Sequence, residues 1–132
     1  MKRDIKFRGK MVDGKWWIEG QLYYFDNKVW ITDSKNINLN THKNVAWFEV
    51  IPESVGQYTG LRDKDGKEIY EGDICSTYNI DEPSNLVDTV AFDDGSFVFQ
   101  NDNKLSAELR GFKQDFIEVI GNIHENHELL NQ

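Results

Sequence analysis

Few residues of this 132-residue chain have both the type and the spacing to do chemistry. Cys75 is its single thiol. A cysteine nucleophile needs an exposed thiolate and a base beside it. Cys75 follows the strand-like run Glu68-Ile69-Tyr70-Glu71-Gly72-Asp73-Ile74, and His42, His124 and His127 stand in no recognisable triad context. It reads as a buried thiol packed like a small hydrophobe. His124-Glu125-Asn126-His127-Glu128 places two histidines three apart, which one helix face could present to a metal. The zincin pattern instead spaces its histidines by four, with Glu directly after the first. A third ligand would have to come from His42 or Glu128. The segment reads as a polar C-terminal tail, and no metal or other cofactor is expected. The carboxylate pairs Asp93-Asp94 and Glu71/Asp73 could serve as acid and base. Both fall at turn signals, where Asp bonds its own backbone.

Residues 55–74 hold four glycines, Gly56, Gly60, Gly66 and Gly72. That spacing fails the dinucleotide fingerprint G-x-G-x-x-G. A Walker loop fails too: Gly60 to Gly66 is one residue too long, and Glu68 follows Lys67 where Ser or Thr is required. Asp63, Asp65 and Gly66 match the third, fifth and sixth positions of an EF-hand loop. Leu61 and Gly72 would then occupy the first and twelfth, without the carboxylates a calcium site needs. The stretch therefore reads as strands and tight turns. Asp65-Gly66 supplies a positive φ at a wet tip, and Gly72-Asp73 makes a second turn before Ile74.

These residues need elements to position them, and the sequence points to strands. Ile5-Lys6-Phe7-Arg8 alternates. Asp13-Gly14, Asp26-Asn27-Lys28 and Asp93-Asp94-Gly95 mark turns between runs rich in β-branched and aromatic residues. Residues 45–51 read as another strand, which Pro52 ends or marks as an edge, and residues 116–123 read as a last buried strand. Leu105, Leu109, Phe112 and Phe116 have helical spacing, with Ser106 as N-cap, although Gly111 weakens a helix there. Residues 125–130 read as a helical turn or tail. Residues 33–44 are polar and asparagine-rich, a surface loop long enough to raise a functional question. One mostly-β antiparallel domain is expected over residues 1–132, as a small barrel or rolled sheet with one short helix near the C-terminus.

The net charge of −8 opposes direct contact with a phosphate backbone. No stretch approaches the length of a membrane span. The basic start of the chain has no apolar run behind it and so does not read as a signal peptide. A lone cysteine fits a reducing compartment, and the cytoplasm is expected.

The 55–74 stretch, with Val55-Gly56-Gln57-Tyr58-Thr59-Gly60-Leu61 and then Asp63-Lys64-Asp65-Gly66-Lys67-Glu68-Ile69-Tyr70-Glu71-Gly72-Asp73-Ile74, resembles the signature of the YopX family of phage and prophage proteins. The opening Ile5-Lys6-Phe7-Arg8-Gly9-Lys10 and the closing Ile117-Glu118-Val119-Ile120-Gly121-Asn122-Ile123 resemble that family's two ends. The resemblance covers nearly the whole chain in the same order. It implies a mostly-β fold and self-assembly, without an established activity. His124 stands where the family pattern has an aromatic, and His127 where it has proline, which argues against a family-wide metal role for them.

Gly56, Gly60, Asp65, Gly66, Gly72, Asp73 and Gly121 are accordingly read as structural turn residues. The functional candidates are the surplus aromatics of the first half. Alternation sends Trp16 and Trp17 to opposite faces, and likewise Tyr23 and Tyr24. Trp17, Tyr24, Trp30 and Trp47 are expected to form an interaction surface, with the 33–44 loop. The expected function is a non-enzymatic phage accessory protein that forms homo-oligomers and binds a host or phage protein. The alternatives are a nucleic-acid-related protein, either binding through Lys2, Arg3, Lys6, Arg8 and Lys10 or mimicking DNA by its acidity, and thirdly a metal-dependent hydrolase.

Overall fold

The computed structural model describes residues 4–33, 46–78, 85–101 and 104–131. The expected loop at 33–44, the cations Lys2 and Arg3, and His42 lie outside them, Asp33 apart. Two compact units divide the chain, Met1–Tyr58 and Thr59–Gln132. The mostly-β antiparallel expectation holds. The described strands form three antiparallel sheets, none closed into a barrel, and the only helical elements among them are short 3-10 turns.

In the first unit β1 (Phe7–Lys10) lies between β2 (Trp17–Gly20) and the start of β6 (Gly56–Arg62), antiparallel to both. A second sheet is the meander β3 (Leu22–Phe25), β4 (Lys28–Thr32) and β5 (Trp47–Val50). Asp13-Gly14 turns the chain as expected, with Gly14 at φ 76° and the Lys15 N–H donating to Asp13 Oδ1 at 2.9 Å. Asp26 and Asn27 both take positive φ, 55° and 58°, and close the β3–β4 hairpin as a two-residue turn of the primed type. Val29, Ile31 and Val50 are the buried core, and Phe7, Ile18, Leu22 and Val55 pack on it. Gly9 permits the close approach: a Cβ there would stand 3.0 Å from Ile31 Cδ1 and Val50 Cβ. Pro52 ends the extended run and opens a 3-10 turn, Pro52–Ser54. Ser54 Oγ accepts the Lys10 N–H and donates to the Ile51 carbonyl.

In the second unit the later part of β6 lies beside β7 (Glu68–Tyr70). The five-stranded sheet runs β11 (Lys104–Glu108), β10 (Ser96–Asn101), β9 (Asn85–Asp93), β8 (Asp73–Tyr78), β12 (Ile117–Asn122). Asp94 and Gly95, at φ 49° and 83°, close the β9–β10 hairpin. Ile69, Cys75, Val90, Phe99, Leu109 and Ile117 form its core, and Phe97, Phe112 and Val119 pack against them.

The short helix expected between Leu105 and Phe116 does not form. Residues 104–108 are strand β11, paired with β10, and Leu109–Gly111 and Gln114–Phe116 are 3-10 turns. Leu109 and Phe112 still enter the core, the latter edge-on to Phe99 at 4.9 Å. Their inward spacing is met by a strand followed by a tight turn, and pairing with β10 satisfies backbone groups that a short helix with a glycine would hold weakly.

Candidate functional site

The β3–β4–β5 sheet carries the largest group of exposed rings. Its register pairs Tyr23 with Trp30, Phe25 with Lys28, Trp30 with Glu49 and Thr32 with Trp47. Paired residues share a face, so Tyr23, Phe25, Trp30 and Trp47 stand together, with Lys28 and Glu49 beside them. The opposite face carries Leu22, Val29, Ile31 and Val50 into the core. Tyr23 is 49% exposed, Phe25 61% and Trp47 44%. Tyr23 stacks on Phe25 at 6.2 Å and tilts against Trp47 at 5.1 Å. Trp30 is half-buried and its Nε1–H donates to the Phe25 carbonyl at 3.2 Å, so the indole is fixed. The four rings line an open depression of about 270 Å3. Lys28 Nζ stands 4.0 Å from Glu49 Oε1, and its charge is balanced on the same face.

Of the four aromatics singled out by sequence, Trp30 and Trp47 belong to this group. Tyr24 pairs with Val29 on the core side of β3 and is 70% exposed. Trp17 is on β2, half-buried under the Arg8 guanidinium at 5.2 Å. Tyr23 and Phe25 are the members that the sequence reading missed. The signal was the Asp26-Asn27 pair: a two-residue turn fixes the register and thereby which rings share a face.

Of the residues read as structural turns, Asp65, Gly66 and Gly72 stand in turns, whereas Gly56, Gly60, Asp73 and Gly121 lie within strands. Gly56 opens β6, Gly60 and Gly72 have φ 87° and 88°, and Gly66, after Asp65, has φ 81°. Gly121 follows a register shift in β12 and is covered by the Asn126 side chain. Asp73 is buried and accepts the Tyr70 N–H at 2.8 Å. Asp63, 1% exposed, is the anchor that sequence reasoning passed over. Its Oδ1 accepts the N–H groups of Asp65 and Lys67, both at 2.9 Å, and its Oδ2 that of Val119 at 3.0 Å. Burial pushes its pKa up, but the bonds from Val119, Lys67 and Asp65 and the Lys67 charge outweigh that and hold it below 3.8. This carboxylate ties the 63–67 turn to β12, and its acceptor capacity is spent on backbone.

The remaining candidates are dispersed. Cys75 is fully buried in the core of its unit, where its thiol meets no solvent. Asp94 occupies the hairpin turn. The backbone N–H of His124 donates to Asn122 Oδ1, and His127 opens a 3-10 turn, His127–Asn131. Among the described residues no three His, Cys, Asp or Glu side chains come together as a metal-holding group. Lys6 lies over the Tyr58 ring at 5.1 Å, as Arg8 lies over Trp17. None of the described helices is long and apolar enough to cross a membrane.

The family model described as "YopX protein" matches residues 6–131. Among solved structures, that of protein EF1440 from Enterococcus faecalis is similar, at 25% identity and a TM-score of 0.59, covering 98% of this chain and 99% of that one. No curated protein matches the chain.

Proposed function

The chain belongs to the YopX protein family, and we propose a function for it from its surface: a non-enzymatic protein-binding module that docks its partner on the aromatic face of β3–β5. One observation carries this reading. Four rings converge on one open sheet face, three of them between 44% and 61% exposed, with the indole donor of the fourth already bonded internally. Rigid aromatic side chains lose little conformational entropy on binding and dominate the centres of protein interfaces. Contiguous exposed rings are costly in water, and such patches mark interaction sites. We place the module in the cytoplasm of a bacterial host, as a phage or prophage accessory protein that also self-associates.

The test is a paired capture from host lysate with the wild-type protein and a Phe25→Ser/Trp47→Ser variant. Both substitutions lie on the exposed face and leave the Val29, Ile31 and Val50 core untouched. A species retained by the wild type and lost by the variant, with the same far-UV circular dichroism for both, is the expected result. Identical captured sets would refute the assignment of the surface.

A further inference from the structure

Among the described residues, the sheet that bears the rings ends in β3 as an edge strand. Among the described residues β3 pairs only with β4. The Thr32 N–H donates to the Gln21 carbonyl at 3.0 Å, so Gln21 faces β4. Main-chain direction alternates along a strand, and the two-residue turn closes on Phe25 and Lys28. Tyr23 and Phe25 therefore direct their N–H and C=O groups towards β4, and Leu22 and Tyr24 direct theirs outward. Soluble proteins protect such edges with Lys, Pro, bulges or short length. The edge strand β2 carries Glu19, β11 carries Glu108, and β12 carries Glu118. Leu22-Tyr23-Tyr24-Phe25 has shortness but no charge and no proline, and Tyr24 and Phe25 are 70% and 61% exposed.

The geometry points to a second copy of this chain as the occupant of that edge, in antiparallel β3–β3 pairing about a two-fold axis through Tyr23. This rests on the reading of the β3–β5 face as a protein-binding surface and names one of its partners. The register follows from which groups point outward. Leu22 exchanges both its main-chain bonds with Tyr24 of the second copy, and Tyr24 does the same with Leu22. Tyr23 then faces Tyr23 of the second copy as a non-hydrogen-bonded pair, with Cα atoms about 4.5 Å apart. An isologous contact needs a self-complementary strand, and an uncharged strand centred on a tyrosine meets that requirement. The meander β3-β4-β5 would continue into its copy, and the two aromatic depressions would lie on one face. An extended peptide could occupy the same edge, but it would leave Tyr23 without its symmetry mate.

The area sets the strength. At about 200 Å2 per ring, the exposed parts of Tyr23, Tyr24 and Phe25 offer roughly 350 Å2 per copy. That is well under the ~800 Å2 per partner of a stable interface, so the dimer is weak and reversible. Each copy carries a net charge of −8, so added salt tightens it.

The symmetric position of Tyr23 gives the test. Sedimentation equilibrium from about 1 μM to about 1 mM is run on the full chain, on Tyr23→Lys, on Tyr23→Glu and on their equimolar mixture. Like charges meet across the axis in each single variant, and self-association is expected to weaken about tenfold or more. In the mixture Lys meets Glu, and a heterodimer returns. A wild type that stays monomeric throughout would overturn the proposal, as would Tyr23→Lys and Tyr23→Glu variants that dimerise as well as the wild type. If a charged variant fails to fold, Tyr24→Pro replaces it. That proline deletes a donor used only between copies and is tolerated at an edge, so loss of dimer with retained circular dichroism is expected. A monomeric wild type that still captures a partner through Phe25 and Trp47 would sink this inference alone.

Discussion

Replacing Asp63 by asparagine should destabilise the second unit while hardly changing the shape of the side chain. The carboxylate is buried and accepts N–H bonds at 2.9, 2.9 and 3.0 Å. An asparagine carbonyl placed at the Oδ1 position keeps the bonds from Asp65 and Lys67 as neutral ones. Its amide group then faces the Val119 N–H, donor against donor. Bonds to a charged acceptor contribute about 1.5–3 kcal/mol each, neutral ones about 1, and an orphaned buried donor costs about 1–3. The expected loss is about 3–5 kcal/mol, a large part of the ~5–15 kcal/mol that holds a domain folded. Urea unfolding at pH 7 followed by far-UV circular dichroism measures it. Tryptophan emission reports the first unit, since Trp16, Trp17, Trp30 and Trp47 all lie there.

The same bonds set a pH dependence. Burial raises the Asp63 pKa, but the three backbone donors and Lys67 lower it more, so the folded value lies below 3.8. A depressed carboxylate contributes its full stabilisation above the unfolded pKa and loses it as pH falls through the folded one. The gap between wild type and Asp63→Asn should therefore be widest near neutrality and narrow as pH falls below about 4. Amide exchange at Val119 adds a local readout: its protection should drop in the variant. A stability change under about 0.5 kcal/mol at pH 7, with Val119 still protected, would refute the reasoning.

Gly9→Ala should cost about 1–3 kcal/mol, because its Cβ would press on Ile31 and Val50 at 3.0 Å; the first unit's tryptophan-detected urea midpoint measures it. Asn27→Gly should raise the first unit's unfolding free energy, read from the same urea curves, by up to about 1 kcal/mol, since Asn27 holds φ 58° in a primed turn where glycine is unstrained. The Cys75 thiol, fully buried, should react with a thiol reagent only as fast as its unit opens, so urea should accelerate labelling; rapid labelling of the native protein would contradict its place in the core.

The hairpins were legible wherever turn chemistry is local. Asp13-Gly14, Asp65-Gly66 and Asp94-Gly95 each place a glycine at positive φ, and no distant partner is needed to demand it. The spacing of Leu105, Leu109, Phe112 and Phe116 misled because burial and periodicity are separable. Leu109 and Phe112 are inward in the structure, but a strand and a 3-10 turn put them there. The choice between the two lay with β10, whose pairing with β11 no local window contains. Asp63 was hidden for the same reason: one of its donors is Val119, across the unit in β12.

The aromatic face shows where local information becomes sufficient. Alternation alone leaves Tyr23 and Tyr24 equivalent, since either could be the inward one. What separates them is parity with β4. A two-residue turn at Asp26-Asn27 pairs Phe25 with Lys28 and hence Tyr23 with Trp30 and Tyr24 with Val29. Val29 is buried and Trp30 is half-exposed, so the ring opposite Trp30 belongs to the outer face. A one-residue slip of β4 against β3 would instead pair Tyr23 with Val29 and reverse the assignment, sending Tyr23 to the core side. The positive φ of Asp26 and Asn27 therefore decides which rings share the face of Trp30 and Trp47.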